Sequence, residues 1–254
     1  TGVRCGFSWM NLDGVLANDT LRQAMVMAID KEGICESKTI GGLYTAGISV
    51  LPSNLEYRYD ELTDPYPYNP EGAKKLLDDA GIVDTDGDGI RELEGQNIKL
   101  RYVSYENRLL NEFSDAHTQY LTEIGIGVTA EYGSSDDQWS KLAAKDYDLN
   151  NNNWITVGTG DPLEYLGNWY SETTYCGYSS LEYDELYESL QNELDPERRK
   201  ELVKEMQQII IDDALVLVDG YYNSSMIYSN KRVGYAHIHT ADYYWLTTEI
   251  VPAE

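Results

Sequence analysis

Phenylalanine is almost missing from this sequence: two residues stand against 22 tyrosines and five tryptophans in 254 positions. The aromatic surface therefore carries hydrogen-bonding tips, which suit half-wet surfaces and clefts better than a dry core. Basic side chains are scarce too, 19 Lys and Arg against 44 Asp and Glu, for a net charge of −25. A field of that sign repels phosphate backbones and anionic lipid surfaces, which argues against nucleic-acid binding and membrane adhesion. It does not identify a cationic ligand, because solubility at a cell surface accounts for it equally well. No apolar run approaches the length of a membrane span. Cys5, Cys35 and Cys176 are an odd set that gives no disulfide framework and leaves the compartment open. The chain starts at Thr1-Gly2 without an initiator Met or a signal peptide, and we read it as processed or truncated.

Catalytic signatures are missing as well. There is no G-x-S-x-G elbow, no Walker loop and no H-E-x-x-H pair. Carboxylates are so abundant that a catalytic pair can be picked anywhere, so a hydrolase reading rests on abundance alone. We expect no enzyme.

What is present describes a well-cored globular chain, 42% hydrophobic and 25% charged. Residues 3–11 are apolar and read as a strand. Asn18-Asp19-Thr20 then opens a helix with Leu21, Ala24, Met25, Ala28 and Ile29 on one face. Residues 41–69 form a long irregular stretch broken by Gly41-Gly42, Pro52, Pro65 and Pro67. Asn69-Pro70-Glu71 reads as an N-cap with Pro at the first helical position, and the helix stops at Gly81.

The middle of the chain gives the architecture. Ile98, Leu100 and Tyr102 alternate with Lys99 and Arg101, as in a strand. Leu110, Phe113, Tyr120, Leu121 and Ile124 follow at helical spacing, ended by Gly125. Ile126, Val128, Ala130 and Tyr132 alternate again, and Ser134 caps a helix carrying Trp139, Leu142 and Ala143. A third strand is expected over 147–154. This β-α-β-α-β order predicts an α/β fold with a mainly parallel sheet flanked by helices. Ligands of such sheets sit beyond the carboxyl ends of the strands, here around Tyr105 and from Trp154 to Asp161. Two helices, 180–194 and 196–213, and a short buried strand over 214–218 complete the chain.

Three polar features stand out. Asp84-Thr85-Asp86-Gly87-Asp88-Gly89 has the spacing of a calcium loop, with Asp84, Asp86 and Asp88 as candidate ligands. Its twelfth position is Gly95 where a bidentate carboxylate belongs, so an acidic turn is the alternative. His117, His237 and His239 give no zinc pattern and read as structural or surface histidines, the last two spaced to share one face of a strand. Asn150 to Asn153 either face a cleft or hinge, or lie on an edge strand with a wet face.

With those residues in view, the chain resembles the C-terminal part of the family 5 extracellular solute-binding proteins of ABC importers. Asp19-Thr20-Leu21-Arg22-Gln23-Ala24 with Ala28-Ile29-Asp30-Lys31, and Pro65-Tyr66-Pro67-Tyr68-Asn69-Pro70 through Leu77, are similar to two of its helical segments. Leu121 to Val128, Tyr147-Asp148-Leu149 through Trp154, Asp161-Pro162 and Tyr183-Asp184-Glu185-Leu186 follow in the family's order. The resemblance implies a periplasmic-binding-protein type II lobe spanning 1–254, with 1–18 and 222–254 as hinge or other-lobe segments and most of the N-terminal lobe absent. It further implies a monomer that captures a small solute, an oligopeptide or similar, for an ABC transporter permease. The location would be extracytoplasmic, as a periplasmic protein or a cell-surface lipoprotein. No cofactor is required, calcium being the one candidate, and a calcium-dependent surface or adhesion module is the alternative function.

In peptide-binding members an Asp three residues after the Trp matching Trp154 holds the peptide's amino terminus. Here that position is Val157, and the spacing to Asp-Pro is one residue longer. Asp161 is the candidate substitute if the loop folds inward; otherwise Asp-Pro only shapes the turn. The expected ligand contacts are Trp154, Thr156, Asp161 and Tyr105, with Tyr221 and Asn153 behind them.

Overall fold

The computed structural model describes residues 1–239 and 250–253. Strand β1 (Arg4–Met10) is followed by helix α1 (Asp19–Ala28), whose N-cap Asn18 accepts from Leu21 N at 2.9 Å. A short helix not expected from the sequence, α2 (Lys31–Glu36), is capped by Asp30, and β2 (Tyr44–Thr45) is the only strand in the irregular stretch before residue 70. Helix α3 (Pro70–Asp79) has Asn69 as N-cap and Pro70 in its first turn, as the sequence predicts. A small hairpin, β3 (Glu92–Leu93) and β4 (Gln96–Asn97), leads into β5 (Lys99–Tyr105).

The expected alternation then appears: α4 (Leu110–Glu123), β6 (Gly127–Gly133), α5 (Ser135–Ala143) and β7 (Leu149–Ile155). Helix α6 (Leu163–Leu166) precedes the pair α7 (Leu181–Asn192) and α8 (Pro196–Asp212). Strand β8 (Val216–Tyr222) runs four residues beyond the predicted end. Strands β9 (Val233–Tyr235) and β10 (Val251–Pro252) pair antiparallel in a separate two-stranded sheet.

Six strands form one mixed sheet in the order β2-β8-β1-β7-β5-β6. Strands β7, β5 and β6 are parallel, joined by α4 and α5 as the βαβ pattern requires. Strand β1 lies between β7 and β8, antiparallel to both. It pairs with the last strands of the sheet to form, so nothing local in its sequence reveals that neighbourhood. The wet-edge alternative for 147–154 is corrected here: β7 is an interior strand, and Asn150 to Asn153 are all buried.

Each sheet face carries its own core. Phe7 and Trp9 of β1 pack with Trp169, Tyr183, Leu202, Val203, Met206 and Ile210 under α7 and α8. On the other face Met10, Leu100, Tyr102 and Leu149 meet Leu21, Met25, Leu77 and Phe113 from α1, α3 and α4. Burial of each such large side chain contributes about 1.5–3 kcal/mol, which is what fixes the strand register.

Candidate functional site

The register places several chain ends at one rim. Arg4 pairs with Ile155 and Cys5 with both Trp154 and Tyr221, so β1 begins where β7 and β8 end. The parallel pairing of β5, β6 and β7 brings Tyr105 and Gly133 to the same side. This is the carboxyl rim at which open α/β sheets bind ligands. Beyond Tyr105 the chain turns sharply into α4 through Arg108 and Leu109, two successive non-glycine residues at φ of 56° and 63°. Left-handed residues of this kind are strained and collect at functional rims.

Tyr105 and Trp154 are half-buried on this rim. The Trp154 ring lies 5.0 Å from Trp139, 6.0 Å from Tyr165 and 6.2 Å from Tyr175, with both Trp9 and Trp139 met in T-shaped geometry. Asn153 is buried: its Nδ2 donates to the Tyr44 hydroxyl at 2.6 Å and its Oδ1 accepts from Arg4 Nη1 at 3.1 Å. Thr156 is fully buried, and both its backbone N and its hydroxyl donate to Val3 O. Tyr221 is also fully buried, donating to Ser49 O at 2.9 Å. Asp161 lies in the loop beyond β7, where one oxygen accepts from Leu163 N and the other holds Arg199 Nη2 at 2.6 Å. The structure thus gathers Tyr105, Asn153 and Trp154 at the rim, sets Thr156 and Tyr221 beneath it, and ties Asp161 to α8.

Under the rim lies a layer of polar side chains inside an otherwise apolar core. The hydroxyl of Tyr102 meets Ser8 Oγ at 2.5 Å and His117 Nδ1 at 2.8 Å, and Asn151 Nδ2 approaches it at 3.4 Å. Gln138 of α5 donates to Asn150 Oδ1 at 2.9 Å and to the Asn151 carbonyl. Buried amides need such partners, and here the protein supplies most of them. Burial, then the neighbouring Asp219, pushes the Tyr44 and Tyr102 hydroxyls well above their ordinary range. Burial alone lowers His117 to about 3.

The acidic loop stands elsewhere. Asp84, Asp86 and Asp88 are exposed, with carboxylate oxygens within 4.8 Å of one another. The hairpin that follows them leads into the start of β5, the end opposite the rim. Their oxygens serve the loop itself: Asp84 accepts from Gly87 N and Gly89 N, Asp86 from Asp88 N, and Asp88 from Ile90 N and Asn97 Nδ2. These amide contacts, Gly89 first, hold the Asp84 carboxyl below its usual range. Glu92 is spent on Thr85, from which it accepts at 2.8 and 2.9 Å. His237 and His239 follow β9 with ring centroids 4.7 Å apart and are not on a strand.

Sequence reasoning missed four residues. Trp139, 39% exposed, extends the aromatic surface of Trp154, where helical spacing gave it only a place on one face with Leu142 and Ala143. Arg4 and Tyr44 reach Asn153 from distant segments and left no local signal. Asp219 did leave one: a carboxylate between Val218 and Gly220 in a buried strand is unusual, since unpaired charges are seldom buried.

This chain is 25% identical over 248 residues to the oligopeptide-binding protein AppA of Bacillus subtilis, covering 93% of this chain and 44% of that protein. The structure of Bacillus subtilis AppA in complex with a nonapeptide matches it with a TM-score of 0.78 and 20% identity, over 87% of this chain and 45% of that one. NikA from Brucella suis, solved in complex with Fe(III)-EDTA, gives 0.75 and 17% over the same shares. These likenesses show the fold, a mixed α/β sheet flanked by helices. The chain spans less than half the length of each of these relatives. Nothing in these likenesses supports a calcium-dependent adhesion module. The sequence pattern of the bacterial extracellular solute-binding proteins, family 5 Middle, matches residues 1–177, and the chain belongs to that family.

Proposed function

We propose that this chain forms one wall of the ligand cleft in the substrate-binding component of an ABC importer. Such a protein captures a small solute, an oligopeptide or similar, and delivers it to the membrane permease chemically unchanged. One observation carries the reading: half-buried Tyr105 and Trp154 stand on the carboxyl rim of the parallel strands, above a rigid polar layer, in a chain of this family. The chain also enters and leaves the sheet at that rim, where Gly2 N donates to Tyr222 O at 2.8 Å. Crossings to a second lobe then fall before Arg4 and within 222–254, since residues 4–18 of the expected 1–18 segment belong to β1 and the core of this lobe, and the lobes close as a hinge around the solute. Residues 240–249 and 254 of that last segment lie outside the described residues.

In this reading Tyr105 and Trp154 touch the solute, with Trp139 extending the surface they offer. Asn153, Thr156 and Tyr221 fix the wall from behind, and Asp161 shapes the loop. The protein works as a monomer outside the cytoplasm, periplasmic or lipid-anchored at the cell surface, and needs no cofactor. Native mass spectrometry of the full-length protein, purified without refolding, identifies the solute that co-purifies. Calorimetry with that solute then tests the wall: Trp154→Ala and Tyr105→Ala should each weaken binding about tenfold or more. Unchanged affinity in both variants would end the assignment.

A further inference from the structure

Asp219 sits in a strand that otherwise reads Val216, Leu217, Val218 and, after Gly220, Tyr221. It occupies a bulge: Gly6 pairs with Gly220 and Phe7 with Val218, so Asp219 has no partner residue on β1. The residue is 1% exposed, and neither carboxylate oxygen accepts a hydrogen bond of ordinary geometry, although the Asn151 amide approaches it. The groups facing it are Cys5 on β1, Cys35 on α2, Tyr44 on β2, Tyr102 on β5, His117 on α4 and the uncharged Asn151 on β7. Four of these are acids and supply no positive charge. The one base is His117, itself unexposed, whose Nε2 has no hydrogen-bond partner and lies 3.6 Å from Asp219 Oδ1. A bare carboxylate in so sealed a place is far more costly than a neutral acid facing an acceptor.

We infer that Asp219 is the neutral acid in the folded protein, its proton directed at His117 Nε2, so that Asp219, His117, Tyr102 and Ser8 form one uncharged relay tying β8, α4, β5 and β1. The hydrogens then have a single direction. Asp219 O–H points at Nε2, His117 Nδ1–H donates to the Tyr102 oxygen, and the Tyr102 O–H donates to Ser8 Oγ. This assignment does not depend on any solute.

The relay makes folding a proton-linked event. Burial pushes the Asp219 carboxyl well above its ordinary 3.8 and lowers His117 from 6.5 to about 3. Above about pH 3 the folded pair therefore keeps one proton, on Asp219, for as long as burial holds that carboxyl protonated. The unfolded pair holds two protons below 3.8, one between 3.8 and 6.5, and none above 6.5. Stability from this pair thus rises with pH up to 3.8, is level to 6.5, and falls above that by about tenfold in the unfolding equilibrium per pH unit. The contribution of this pair is therefore greatest between about pH 3.8 and pH 6.5 and declines above that.

The test compares urea unfolding of the full chain with that of Asp219→Asn, which keeps the shape and removes the titrating proton. From about pH 5 to about pH 8 the ratio of the two unfolding constants should change about tenfold per pH unit, the natural chain losing ground as pH rises. Should Asp219→Asn fail to fold, infrared spectra of the natural chain carrying carboxyl-labelled aspartate decide the matter: one protonated carboxyl should persist at neutral pH. Parallel pH profiles, or a fully ionised aspartate spectrum at neutral pH, would overturn the inference.

Discussion

Asp161 and Arg199 hold each other at 2.6 Å across the gap between the loop beyond β7 and helix α8. The same guanidinium donates to the carbonyls of Leu190 and Glu193, at 2.7 and 2.9 Å, closing the end of α7. A carboxylate that looks in sequence like an anchor for an amine is thereby neutralised by its own chain. Arg199→Ala should cost about 1–2 kcal/mol, most of it from the two carbonyl contacts, because the ion pair is partly exposed and screened. Chemical denaturation at low and high salt checks this: the salt-dependent part should be the smaller.

Trp169 should be the costliest single aromatic truncation in the α7–α8 core. It is fully buried, 4.8 Å from Trp9, 5.4 Å from Tyr165 and 6.0 Å from Phe7. Trp169→Ala is expected to destabilise by about 3–5 kcal/mol, through lost burial and the cavity left behind. Urea unfolding followed by far-UV circular dichroism measures it.

Asn153 links three strands through Tyr44 and Arg4. Replacing it by Leu removes the donor to the Tyr44 hydroxyl, which still donates to Arg108 O at 3.1 Å, at about 0.5–1.5 kcal/mol. Combining Asn153→Leu with Tyr44→Phe should cost less than the sum of the two single changes, since both break the same contact. A double-mutant cycle reads the coupling, expected at about 0.5–3 kcal/mol.

Gly47 owes its identity to Tyr221. A Cβ at position 47 would fall 2.2 Å from Tyr221 Cζ, on a ring fixed by the hydroxyl contact to Ser49. Gly47→Ala is expected to cost about 1–3 kcal/mol or more through overpacking. In a Tyr221→Ala background the same change should be nearly silent, and thermal melts of the four combinations settle it.

The residues whose structure is decided locally were legible in the sequence. Asn18, Asn69 and Ser134 cap the helices they announce, and the alternation over 98–132 gives two strands and the helix between them. The parallel triplet follows, and with it the rim carrying Tyr105 and Trp154. What stayed hidden depends on contacts between distant segments. An apolar run at residues 3–11 says strand but not which neighbours, and Asn150 to Asn153 stay open between a cleft-facing and a wet-edge reading until their partners Gln138, Tyr102, Tyr44 and Arg4 are known. The burial of Thr156 and Tyr221 likewise comes from Val3 and Ser49, segments far away in the chain.

The position of β1 also sets an order of assembly. Its partners are the last strands of the sheet to be made, and its Arg4 bonds to a residue 149 positions away. During synthesis β1 keeps one edge open until β7 (Leu149–Ile155) emerges and the other until β8 (Val216–Tyr222) follows. Such long-range closure is slow and leaves a sticky intermediate. A chain halted before residue 216 would carry β1 with one flank bare, a template for aggregation.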